Sequence, residues 1–143
     1  MLKFTHSLFI VLLAFPLSAQ TNFLVTNTLA EQVLKGNYTP ADYAAGAVID
    51  DPALIAAEIN SRISPDSLKS YIAALSSFGN RNTGSDTVSS SWGIGAARRW
   101  VLSQFQAFSA ENEDRLLTGY FQFDRPICSV GRHRYIMAVL PGT

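Results

Sequence analysis

Residues 75–105 read LSSFGNRNTGSDTVSSSWGIGAARRWVLSQF, and the rest of the chain is organised around this stretch. It begins on the end of one predicted helix, crosses a loop rich in Gly, Asn, Ser and Thr, and enters a second helix that carries both tryptophans. Apolar residues recur in the second helix, over about residues 92–108, at a spacing that predicts a face packed on a core: Ile94, Ala97, Trp100, Val101, Phe105 and Phe108. Gly93 and Gly95 cost helix propensity, roughly 1 kcal/mol each in a helix interior. We therefore expect both glycines where the backbone closely approaches a neighbour.

The loop of this stretch has no obvious nucleophile or metal ligand. A Gly-rich loop can cradle a phosphate, but residues 80–91 follow no predicted strand and contain neither Lys nor Walker or dinucleotide spacing. We interpret the loop as a connector between two packed helices. Arg98 and Arg99 fall opposite the apolar stripe of the second helix, where we expect a solvated face rather than an anion site.

Helices are predicted before the loop, and each has a recognisable start or end signal: from Thr21 to about Gly36, from Thr39-Pro40 to a break at Asp51-Pro52, after that break, and over residues 65–78. Asn27 or Thr28 is the expected cap of the first helix, and Gly36 is its expected end. We expect Ser64 to cap the helix over residues 65–78, since Ser is a preferred capping residue and the Pro and Asp that follow it are typical of a first helical turn.

Two strands are predicted after the long helix. Residues 120–127 alternate, with Phe121 and Phe123 on one side, and Pro126 is a candidate stop. Residues 135–140 form a continuous apolar run that is typical of a strand buried on both faces. About six residues join the strands, which favours an antiparallel hairpin. The fold class is therefore α/β, with N-terminal helices plus an antiparallel strand pair. Since two strands are not stable alone, we expect the opening portion of a larger domain.

The first 19 residues have the pattern of a signal peptide. Lys3 supplies the basic region, residues 8–15 an apolar core, and Leu17-Ser18-Ala19 a cleavage site before Gln20. The apolar run is shorter than the roughly 20 residues that span a bilayer. We expect export, to a secreted or periplasmic location; the alternative is a buried N-terminal helix.

Composition limits the function classes. The chain has 48% hydrophobic and 15% charged residues, as globular proteins do, and its eleven basic and eleven acidic residues cancel, so nothing indicates a nucleic-acid partner. Cys128, the single cysteine, cannot pair internally, and we interpret it as a buried or strand-end residue rather than a reactive thiol. His133 is the only histidine after the predicted signal peptide, and we expect a surface or hydrogen-bonding residue rather than a metal ligand.

The order of these elements resembles the start of the secreted zinc aminopeptidases, the family-28 metallopeptidases of clan MH, which include bacterial leucyl aminopeptidases. The pieces that carry the resemblance are LSSF, NRNTGS, GIGAA with the following Trp-Val, Phe105, and residues 134–143. It covers residues 62–143 and leaves residues 20–61 as a helical N-terminal extension. The resemblance implies an α/β/α sandwich with a mixed central sheet, two zinc ions, and hydrolysis of N-terminal peptide bonds of peptide substrates. Related members act as carboxypeptidases.

The chain departs from this family at the metal site. The family's first His-and-Asp ligand motif follows the strand that matches residues 135–140, and this sequence contains no HxD, HxxH or HExxH arrangement. We assign no catalytic, metal or substrate-binding residue here, and we expect a truncated, inactive portion of such an enzyme. Arg81 is expected to anchor the loop to neighbouring carbonyls. The alternative is a noncatalytic exported binding or propeptide-like module, with residues 20–61 as its functional part.

Overall fold

The computed structural model describes residues 22–79, 82, 84–127 and 130–142. In chain order these residues form β1 (Phe23–Val25), α1 (Thr28–Leu34), a 3₁₀ turn (Pro40–Tyr43), α2 (Pro52–Arg62), α3 (Pro65–Ser77), α4 (Gly93–Ala110), β2 (Leu117–Ile127) and β3 (Val130–Val139). The strands make one antiparallel sheet in the order β1-β2-β3. The predicted α/β class, with N-terminal helices and an antiparallel hairpin, is confirmed. The predicted signal peptide, Arg81 and Cys128 lie outside the described residues.

The helical prediction is wrong for the residues before α1, because Phe23–Val25 form a strand. Phe23 and Val25 pair with Phe123 and Phe121 on β2, and the Phe23 ring stacks on that of Phe121 with the centroids 5.7 Å apart. The helix begins only after Asn27, whose side-chain oxygen accepts hydrogen bonds from the first turn. The predicted cap is thus confirmed, while the strand arises from pairing with a segment about 100 residues away.

The core lies where α1 meets one face of the sheet. Val25, Ala30 and Leu117 are buried there, and five partly buried side chains pack around them: Val33, Tyr43, Phe121, Met137 and Val139. These residues of β2 and β3 have odd numbers and share one face, because successive strand residues point to opposite sides. The opposite face carries Tyr120 and Arg134, which line a groove together with residues of α4. The sheet therefore lies between α1 and α4.

α4 packs against the preceding loop with very close backbone contact. A β-carbon built on Gly93 would lie 2.3 Å from the carbonyl oxygen of Asp86, and one on Gly95 would lie 2.2 Å from that of Thr87. The predicted role of the two glycines is confirmed. Trp100 joins α4 to the preceding helix, since its ring lies 5.8 Å from that of Tyr71 on α3.

α3 has the capping that its sequence predicts. The Ser64 hydroxyl accepts a hydrogen bond from the Ser67 amide at 3.2 Å, and the helix stops at Gly79, whose φ is +61°. A positive φ favours glycine because it has no β-carbon. The helix predicted from Thr39-Pro40 is wrong beyond its first turn, since only the 3₁₀ turn Pro40–Tyr43 forms there. α2 forms as predicted, but all of its residues are exposed.

β3 is an edge strand, and the prediction that residues 135–140 are buried on both faces is wrong. Tyr135 is 60% exposed and Leu140 is 62% exposed, because within the described residues the strand has a neighbour only on its β2 side. Pro126 does not stop β2, which continues to Ile127 with a register shift after Asp124. A proline has no amide to donate to the ladder, so an irregularity at this point is expected. None of the helices in the described part is long and apolar enough to cross a membrane.

Candidate functional site

A groove of about 440 Å³ between α4 and the hairpin gathers four arginines. It is lined by Thr87, Val88, Gly95, Arg98, Arg99, Tyr120, Arg132 and Arg134. α4 supplies two adjacent arginines, and β3 supplies two at a spacing of two residues, which places both on one face of the sheet. The hairpin register then sets Asp124 opposite Arg132 and Gln122 opposite Arg134. The groove is thus assembled by pairing and packing of segments that are separate in the sequence.

The two arginines of β3 have partners on β2. Arg132 donates to both carboxylate oxygens of Asp124, at 2.9 and 3.2 Å. Arg134 donates from Nε to the side-chain oxygen of Gln122 at 2.8 Å, and its guanidinium carbon lies 5.7 Å from the centre of the Tyr120 ring. Cross-strand pairs of this kind hold the register and the direction of both side chains.

Arg99 anchors the loop that precedes α4. Its guanidinium donates to consecutive backbone carbonyls of Thr87, Val88 and Ser89. This is the kind of anchoring that the sequence predicted for Arg81, which lies outside the described residues.

Arg98 is buried, and the prediction that it belongs to a solvated face is wrong. Only 8% of the residue is exposed, and burial lowers the pKa of its guanidinium, with a further contribution from the positive charge of Arg134. The helical spacing correctly placed Arg98 away from the apolar stripe. It did not show that the sheet covers this side of α4 as well.

His133 is a buried, hydrogen-bonded residue, so the hydrogen-bonding alternative holds and the surface alternative is wrong. It is 3% exposed, and its Nε2 lies 3.0 Å from the carbonyl oxygen of Arg125. Because a carbonyl only accepts, Nε2 donates the proton in this bond. The ring also stacks on that of Phe123 with the centroids 5.2 Å apart. These contacts explain its burial as part of the hairpin.

The first amides of α4 all donate to groups of this chain. The amide of Gly93 donates to the Phe78 carbonyl at 2.7 Å, that of Ile94 to the Ser85 hydroxyl at 2.9 Å, and that of Gly95 to the Asp86 carbonyl at 3.0 Å. The free amides that would let a helix N-terminus bind phosphate are therefore already used. This arrangement agrees with the interpretation of the loop as a connector.

Metal ligands are not gathered in the described part of the chain. Within residues 22–79, 82, 84–127 and 130–142, no group of three or more His, Cys, Asp or Glu residues is placed to hold a metal ion.

The ion pair at the mouth of the groove predicts a dependence of stability on pH. The hydrogen bond from Arg132 lowers the pKa of the Asp124 carboxyl below its ordinary value of 3.8. A carboxyl whose pKa is lower in the folded state stabilises the fold above its unfolded pKa, and this contribution is lost as the pH falls through the folded pKa. The effect is small because both side chains are largely exposed and screened by solvent.

We therefore expect Asp124→Asn to lower the free energy of unfolding slightly at neutral pH and to have no effect in strong acid. Denaturant titrations of both proteins between about pH 6 and about pH 2 measure the difference. Asp50→Asn is the matched control, since Asp50 is exposed, lies outside the helices and strands, and has no ion pair in the described structure. A difference that stays constant down to the lowest pH would contradict the assignment.

Comparison with known proteins relates part of the chain to zinc metalloproteases. It is 42% identical over 66 residues to a probable zinc metalloprotease of Pyrenophora teres f. teres and 38% identical over 65 residues to one of Phaeosphaeria nodorum. A third, from Leptosphaeria maculans, is 34% identical over 67 residues. These matches cover 46–47% of this chain but only 13–16% of the relatives. No family model and no solved structure matches the chain.

Proposed function

We propose that this chain is the N-terminal part of an exported zinc aminopeptidase, which hydrolyses the N-terminal peptide bonds of peptides. The observation that carries the proposal is the 42% identity over 66 residues to a protein named probable zinc metalloprotease. The order of LSSF, NRNTGS and GIGAARRWV followed by a hairpin supports the aminopeptidase class. The signal-peptide pattern of residues 1–19 supports export.

In this proposal the described residues supply scaffold rather than chemistry. α4 packs against the hairpin of β2 and β3. Within the described structure, the edge of β3 that faces away from β2 has no neighbouring strand, so a further strand could pair there. Two zinc ions would take their ligands from outside the described residues, because no suitable group is gathered within them. Zinc would polarise the peptide carbonyl and lower the pKa of a bound water. Residues 20–61 would be an N-terminal extension, and they already contribute β1 to the same sheet.

The proposal is tested by comparing two proteins from the same reading frame. The first is the 143-residue chain, and the second is a longer product that includes the sequence after Thr143. We expect the longer product to release p-nitroaniline from leucine p-nitroanilide, to lose activity on chelation, and to regain it with zinc. We expect no activity from the 143-residue chain, with or without zinc.

Peptide substrates separate the alternatives. Loss of the N-terminal residue from a free peptide, with no cleavage of an N-acetylated peptide, supports aminopeptidase activity. Cleavage at the C-terminus would indicate a carboxypeptidase instead. Zinc-dependent hydrolysis by the 143-residue chain alone would overturn our placement of the metal ligands. A reading frame that stops after Thr143, together with a monomeric chain that unfolds cooperatively, would favour a noncatalytic module instead.

A further inference from the structure

We propose that the groove between α4 and the hairpin binds a carboxylate group, with Arg98 as its main ligand. This inference does not depend on zinc or on peptidase activity, since it rests on the arginines of the groove alone. A carboxylate can reach the groove as a free organic acid or as the Asp or Glu side chain of another polypeptide segment, and the guanidinium recognises the same group in both.

Arg98 is a buried cation without a partner in the described structure. It is 8% exposed, and no hydrogen bond or ion pair joins it to another described residue. All eleven Asp and Glu residues of the chain lie in the described part, and none of them pairs with Arg98. Burying a charge is costly unless it is paired and hydrogen-bonded. The fold therefore holds a desolvated positive charge that another group can neutralise.

The guanidinium of Arg98 is accessible from the space between α4 and the hairpin. No side-chain nitrogen or oxygen that is fully buried in the described part lacks a hydrogen-bond partner. Since Arg98 has no partner, its nitrogens must reach open space, and the residue lines both the groove and a second cavity of about 420 Å³ between α4 and β3. An incoming group can therefore bind the guanidinium without unfolding α4 or separating it from the sheet.

The neighbouring charges favour an anion and do not compete with it. Arg134 also lines the groove, and its positive charge acts on Arg98. The charge of Arg132, by contrast, is balanced by Asp124. The nearby carboxylates are already engaged: Asp124 binds Arg132, and Asp86 accepts hydrogen bonds from the backbone amides after it. An anion in the groove thus meets a site with positive charge in excess.

The charge and the available hydrogen-bond donors favour a carboxylate over a phosphate. A guanidinium binds either group through two parallel hydrogen bonds, but the single negative charge of a carboxylate matches the one unpaired buried cation. Phosphate sites commonly add backbone amides at a helix N-terminus. Here the amides of Gly93, Ile94 and Gly95 are taken by protein groups.

The test is an NMR titration of the 143-residue chain that follows the Nε–Hε signal of each arginine. The probes are sodium acetate for a free acid, N-acetyl-glutamate amide for a polypeptide side chain, and sodium phosphate, each compared with sodium chloride at equal ionic strength. We expect a saturable shift of the Arg98 signal with at least one carboxylate, at about tenfold lower concentration than with chloride or phosphate. A saturable shift with acetate alone would identify a free acid as the source of the carboxylate. A shift with the glutamate derivative alone would identify a polypeptide side chain.

Variants separate binding from general charge effects. Arg98→Gln should remove the saturable response. Arg98→Lys keeps the positive charge but loses the paired guanidinium donors, and should weaken carboxylate binding by about tenfold. Arg62→Gln is the control, because Arg62 is an exposed residue paired with Glu58 on α2. If neither carboxylate acts more strongly than chloride, or if Arg98→Gln binds as well as the original chain, the proposal is wrong. Tighter binding of phosphate than of either carboxylate would also overturn it.

Discussion

Gly93→Ala is expected to lower the free energy of unfolding by about 2–5 kcal/mol, the largest effect that we predict for a single methyl group. Two costs add at this position. Gly93 has a φ of +76°, where an L-residue is strained by roughly 1–2 kcal/mol. A new β-carbon would also lie 2.3 Å from the carbonyl oxygen of Asp86, and forcing an extra methyl group into a packed site costs about 1–3 kcal/mol. Chemical denaturation monitored by circular dichroism measures the loss.

Two other glycines allow these costs to be measured separately. Gly36 also has a φ of +76°, but a β-carbon there would meet nothing within 4 Å, so Gly36→Ala reports the backbone strain alone. A β-carbon on Gly131 would likewise meet nothing, and its φ lies outside the left-handed region, so Gly131→Ala should change little. The excess of Gly93→Ala over Gly36→Ala gives the cost of the close approach. Equal losses from these two variants would show that α4 can move away from the loop.

Asn27→Ala is expected to cost about 2 kcal/mol, because this side chain makes two kinds of bond at once. Its oxygen caps α1 by accepting from the amides of Leu29 and Ala30, at 3.0 and 3.2 Å. Its Nδ2 donates to the Thr118 carbonyl on β2 at 2.9 Å. A lost cap costs about 1 kcal/mol, and a lost hydrogen bond that spans the junction of helix and sheet adds about 1 kcal/mol.

Asn27→Asp separates the two contributions, because Asp retains the capping oxygen but cannot donate to a carbonyl. We expect the free energy of unfolding of Asn27→Asp to lie between that of the original chain and that of Asn27→Ala. Ser64→Ala, which removes only a cap of α3, should cost about 1 kcal/mol. Equal stability of Asn27→Asp and the original chain would show that the bond to Thr118 contributes nothing.

Much of the helical structure was predictable because helix ends depend on local chemistry. Ser64 and Asn27 cap their helices through their own side chains, and Gly36 and Gly79 end theirs with a positive φ. The close approach at Gly95 was also predicted, since a glycine that lowers helix propensity is retained where a side chain does not fit. The alternation around Phe121 placed β2, although its start at Leu117 was missed.

The remaining features depend on segments that are distant in the sequence. Three apolar residues from Phe23 to Val25 carry no strand periodicity, and only the edge of β2 makes them a strand. Arg98 occupies a polar position on the helical wheel, and only the sheet beneath α4 buries it. Tyr135 belongs to an apolar run that resembles a central strand, yet β3 has a single neighbour in the described structure.

The sequence by itself therefore determined the α/β class, the positions of α1 to α4, the antiparallel hairpin and the relationship of part of the chain to zinc metalloproteases. These features follow from spacing, caps and turns, each of which acts within a few residues. Only the tertiary structure decided that β1 joins the sheet, that His133 is buried, and that four arginines meet in one groove with Arg98 unpaired. Strand pairing and burial are set by which surfaces meet, and a contact between residues nearly a hundred positions apart leaves no local pattern to read.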